Sequence, residues 1–128
     1  MPKLGISNDQ LMPCPDSPNC VNSKATDNEH SIQPILFNGT SKKAQERLLQ
    51  ILNNLKRAKM AVVEDNYIRF KFTSLIFRFV DDVEFYFPST ETEKVIIHIR
   101  SASRIGYSDF GANRKRIEQI RSKFKANL

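Results

Sequence analysis

A chain of 128 residues and 14.8 kDa matches one domain and is long enough to bury a core. With 40% hydrophobic residues, nine Phe and no Trp, the composition excludes a disordered tail, and no apolar run is long enough to span a bilayer. The formal charge is +6, and the stretch from Arg100 onward, with eight basic and two acidic side chains, carries the whole excess. Such a patch favours an anionic partner, the plain alternative being a solvated helix face.

The opening Met1-Pro2-Lys3-Leu4-Gly5-Ile6 has no apolar h-region, so the chain as written is expected in the cytoplasm, or in the periplasm or envelope if a leader has been removed. Residues 1–30 hold Pro13, Pro15 and Pro18 and read as a proline-rich arm without helix, ahead of a single domain over 31–128. Ser31–Asn38 offers a short edge strand, and Asn38-Gly39-Thr40-Ser41 a turn with a helix N-cap. Lys42–Arg57 repeats Ala44, Leu48, Leu49, Ile51, Leu52 and Leu55 at helical spacing. Lys59–Glu64 and Tyr67–Thr73 flank the turn residues Asp65-Asn66; Ile68, Phe70 and Phe72 fall on one face, Tyr67, Arg69 and Lys71 on the other.

Phe77–Phe87 alternates again, placing Phe77, Phe79, Val83, Phe85 and Phe87 on the core face, and Pro88-Ser89-Thr90 closes it. Lys94–Ser103 turns Val95, Ile97 and Ile99 inward, and a helix over about Phe110–Lys125 repeats Ile117, Ile120 and Phe124 behind a cap at Ser108 or Asp109. The expected fold is α+β: an antiparallel meander of four to five strands with two helices on one face.

Strand parity also places polar groups. Ser101 and Ser103 fall on the core face, as does Asp81, while Asp82, Arg100 and Arg104 point the other way. Helix spacing aligns Asn113 with Ile117. Buried polar groups must be satisfied, so Asp81, Ser101, Ser103 and Asn113 form either a structural network or the lining of a ligand site. Parity also allows an outward pair between Asp82 and Arg100 or His98. The stretch from Arg100 to Arg116 runs from strand through a glycine turn to a helix start, where free N–H groups suit an anion. Arg100, Ser101, Ser103, Arg104, Asp109, Asn113 and Arg114 are the candidate ligand residues.

Catalytic templates fit poorly. Asp81 and Asp82 are adjacent, hence on opposite faces, and His98 lies across the sheet from both serines. A small hydrolase or transferase using Asp81 or Asp109 remains an alternative, as does a structural envelope protein. Cys14 and Cys20 can close as a disulfide, stay reduced in a cytosol, or serve a redox or metal role, although His30 and His98 are too few to complete a metal site. No cofactor is expected. Tyr67, Phe70 and Tyr86 could stack on bases, but the basic residues are not interleaved with exposed aromatics, which argues against nucleic acid.

Three ordered blocks carry a resemblance: Cys14-Pro-Asp-Ser-Pro-Asn-Cys20-Val-Asn-Ser23, Phe77-Arg-Phe-Val-Asp-Asp-Val-Glu-Phe85, and the run from Arg100 through Arg116. Together they resemble the domain of unknown function 1499 family over nearly all of the chain from Cys14 onward. The matching motif positions are Cys14, Asp16, Ser17, Pro18, Cys20, Ser23, Asp81, Asp82, Arg100, Ser101, Ser103, Arg104, Gly106, Asp109, Gly111, Asn113 and Arg114. The resemblance implies bacterial or photosynthetic origin and, for many members, export as lipoproteins or plastid-lumen proteins. It implies no catalytic assignment.

Overall fold

The computed structural model describes residues 3–89 and 92–126; Met1, Pro2, Thr90, Glu91, Asn127 and Leu128 lie outside it. The arm begins with a two-stranded ribbon of β1 (Ile6–Ser7) and β2 (Gln10–Leu11), followed by β3 (Cys20–Asn22) and β4 (Ile35–Asn38). Helix α1 (Ser41–Asn53) precedes β5 (Ala58–Val63), β6 (Tyr67–Thr73), β7 (Val80–Tyr86) and β8 (Lys94–Ser103), and α2 (Ala112–Ala126) ends the chain. Strands β5 to β8 form the expected antiparallel meander. Two further strands complete a six-stranded sheet on β8: β3 against Arg100–Ala102 and β4 against Lys94–Ile97.

Both helices cover one face. Ala44, Leu48, Ile51 and Leu52 of α1 meet Ile117, Ile120 and Phe124 of α2 over Ile68, Phe70, Val83, Phe85, Ile97 and Ile99. These alternate residues share a face because side chains in a strand repeat every second position. Thr40 caps α1 by accepting the Lys43 N–H, but the helix stops at Asn53, four residues short of the sequence expectation. Arg57 takes a positive φ of 60° and its carbonyl accepts the Thr73 N–H, so residues 54–57 turn the chain into β5.

The arm is not a free loop. Leu11 packs on Tyr67 and Tyr86 on the sheet face away from the helices, and β3 belongs to the sheet. Cys14 and Cys20 are joined by a disulfide with their Cα atoms 5.7 Å apart.

One patterned stretch departs from expectation. Phe77 and Phe79 are exposed and stack on each other at 5.5 Å instead of joining the core. The Ser74 N–H donates to the Phe79 carbonyl and Arg78 takes a positive φ of 59°, which closes a hairpin loop and delays β7 to Val80. The alternation runs past the sheet end, where no helix lies above it. Pairing continues without a shift through Asp81 and Asp82, so the parity of the polar residues stands.

Candidate functional site

Asn113 sits in the first turn of α2, directly above β8, and is fully buried. Its Oδ1 accepts from the Ser101 hydroxyl and from Arg116 at 2.9 Å. Its Nδ2 is shared among Asp109 at 2.8 Å, Ser103 Oγ at 3.0 Å and the Asn19 carbonyl at 3.2 Å. Arg116 then bridges to Asp81 at 2.8 Å and lies over the Phe72 ring. The four polar residues that parity places on the core face are thus one network, closed by Arg116, which the parity argument does not single out.

Asp109 caps the helix, accepting the N–H groups of Gly111 at 2.8 Å and Asn113 at 3.0 Å. Burial pushes its carboxyl up, but the Asn113 backbone and side-chain donors and the Gly111 N–H outweigh it and hold the pKa below the ordinary carboxylate value. Asp81 and Asp109 are therefore both engaged by donors.

The candidate arginines do not join this network. Arg100 lies across the sheet, 3.3 Å from the fully buried Glu84, which also accepts from the Tyr67 hydroxyl and from Gly5 N–H at 2.7 Å. Burial, followed by the Glu84 carboxylate, drives the Tyr67 phenol well above its usual range. Arg104 grips Asp82 with two nitrogens, at 2.9 and 3.0 Å. The partner of Asp82 is therefore Arg104, not Arg100 or His98, because the register sets Glu84 opposite Arg100 and Tyr86 opposite His98. Arg114 reaches the arm, donating to the carbonyls of Ser31 at 2.7 Å and Glu29 at 3.2 Å. His98 Nδ1 is hydrogen-bonded to the Ser23 hydroxyl at 3.0 Å, its basicity lowered by burial and then by Lys24.

Of the aromatic residues that could have stacked on bases, Tyr67, Phe70 and Tyr86 are all buried. Ser101, Ser103, Asp109 and Asn113 thus converge, while Arg100, Arg104 and Arg114 turn to other partners.

An open cleft of about 560 Å³ lies where α2 starts, between the end of α1 and the end of β6. Lys56, Arg57, Lys115 and Arg116 line it, with Phe72, Thr73 and Ser74 as its floor and Gln119 beside them. Among the described residues only Arg116 of these four cations makes an ion pair, the one with Asp81. Lys56 and Arg57 escape a sequence reading because they fall at the end of an apparent helix, where cations are ordinary.

The model of the family described as Protein of unknown function (DUF1499) matches residues 10–124. The chain belongs to that family. The match spans the arm from Gln10 onward, the six-stranded sheet, the buried network and the basic cleft. Among curated proteins none matches the chain. Among the described residues, no helix is long and apolar enough to cross a membrane.

Proposed function

We propose that this DUF1499 protein is a non-enzymatic binding module that holds a small anionic ligand in the cleft at the start of α2. The supporting observation is the charge of that cleft: Lys56, Arg57 and Lys115 have no ion pair among the described residues, and no carboxylate lines it. Phosphate or carboxylate groups match that charge. None of the seven candidate ligand residues lines this cleft, which lies beside the start of α2 between the ends of α1 and β6. A catalytic reading finds less support, since Asp81 is paired with Arg116 and Asp109 is spent as a helix cap.

The test is an anion screen on the intact protein. Inorganic phosphate, sulfate and citrate are expected to raise its thermal midpoint, because a ligand that binds only the native state stabilises it. Replacing Arg57 and Lys115 with Ala is expected to weaken affinity roughly ten-fold per residue in isothermal titration. If no anion raises the midpoint, the reading fails.

A further inference from the structure

The end of the sheet that carries the basic cleft also carries a cluster of strongly exposed apolar side chains. Residues 74–79 join β6 to β7, and residues 104–111 join β8 to α2. The two loops are neighbours, because Asp81 pairs with Ser103 and the Arg104 N–H donates to the Val80 carbonyl at 3.0 Å. Leu75, Ile76 and Phe77 stand out on the first, and Ile105, Tyr107 and Phe110 on the second; Phe110 is 91% exposed. Arg78 and Phe110 are both held at positive φ, 59° and 53°, a region that bulky residues rarely take. Apolar exposure on this scale marks an interaction surface.

We propose that these two loops dock the protein on the surface of an anionic lipid bilayer. The charge pattern selects that partner. Arg78 sits between the aromatic side chains of the first loop, and the cleft cations open beside both loops, since Ser74 and Ala112 line it. The one acid in the loops, Asp109, turns inward to cap α2. Loop tips with aliphatic and aromatic side chains enter the interfacial layer, and flanking cations meet acidic headgroups without needing a complementary concavity. The inference goes beyond the soluble-anion reading, because the cleft could take phosphate with the loops in water.

Co-sedimentation with vesicles tests it, using phosphatidylcholine alone and phosphatidylcholine with about 30 mol % phosphatidylglycerol. The intact protein is expected to sediment with the anionic vesicles and to be released as salt rises. Ile76→Ser with Phe110→Ser is expected to lower the partition coefficient roughly a hundred-fold while leaving the response to inorganic phosphate unchanged. Phe77→Ser is the second variant, and circular dichroism confirms that each folds. Wild type failing to bind vesicles, binding both compositions equally, or binding undiminished by the loop substitutions would each overturn the proposal. Sedimentation velocity covers the competing occupant: self-association abolished by the same substitutions, without vesicle binding, would reassign the surface to protein contact. Loss of vesicle binding only in Arg57→Ala/Lys115→Ala would also overturn the docking role of the loops, yet leave the anion reading intact.

Discussion

The Asn113 carboxamide leaves no donor or acceptor idle, and its partners come from α2, β8, the helix cap and the arm. Replacing it with Ala takes from the buried Ser101 hydroxyl its acceptor and leaves the Asn19 carbonyl with the Ser103 N–H alone. A loss of about 3 kcal/mol in unfolding free energy is expected, read by urea titration. A change below about 0.5 kcal/mol, the size of an ordinary surface substitution, would mean that the network carries little stability. The two histidines respond to pH in opposite directions. His30 is bound at both nitrogens, by Asp27 at 2.6 Å and by the Ser17 carbonyl at 2.8 Å. The Ser17 carbonyl first, then Asp27, raise its pKa above 6.5, so its contribution is complete at acid pH and fades as pH climbs through the raised value. His98, lowered from 6.5 chiefly by burial, contributes as the neutral ring, and that contribution fades as pH falls below 6.5. Urea midpoints should therefore show His30→Ala costing more near pH ~5.5 than near pH ~8, with His98→Ala showing the reverse. Parallel pH profiles for the two variants would contradict this assignment.

Among the elements, β3 depends most on its surroundings. It is three residues long, follows a proline-punctuated loop, and has no periodicity from which to read it. What holds it is the disulfide behind it, the Ser103 N–H donating to the Asn19 carbonyl at 3.0 Å, and the Ser23 N–H donating to the Ile99 carbonyl at 2.9 Å. Reducing Cys14–Cys20 frees a short loop in the unfolded chain. That is expected to cost about 2 kcal/mol, measured as the difference between urea curves with and without a thiol reductant. Identical curves would place the disulfide outside the cooperative unit. The contrast with α1, β6 and β8 explains what could be read beforehand: each carries its period over enough residues to fix both type and face. The period failed at Phe77 and Phe79, because alternation tells which side a residue points to, but not whether anything lies above it.

At the scale of the molecule, the sheet has a polar seam on each face. The helix side holds the Asn113 network, and the far side holds Glu84, Arg100 and Tyr67 beneath the arm. Strand parity and helix spacing placed Asp81, Ser101, Ser103 and Asn113 on one face and Arg100 and Tyr67 on the other, but singled out neither Arg116 nor Glu84. They could not locate the cleft, which needs residues 54–57, the end of β6 and the start of α2 brought together by the fold. Nor could they foresee that the arm covers the second face, because Gly5 and Leu11 stand in no periodic segment. That cover has a measurable consequence. A variant starting at Pro13 keeps the disulfide and β3 but loses the Gly5 donor to Glu84 and the Leu11 side chain over Tyr67 and Tyr86. Uncovering one leucine and removing one charge-assisted hydrogen bond together cost about 3 kcal/mol. Because β3, β8 and α2 stay joined through Asn19, the shortened protein is expected to unfold in one transition at a lower urea midpoint. It should also show faster amide exchange on the Tyr67 and Tyr86 side of the sheet than in α2. An unchanged midpoint would mean that the arm lies on the sheet without contributing to its stability, and two separate transitions would mean that the helix face folds independently of it.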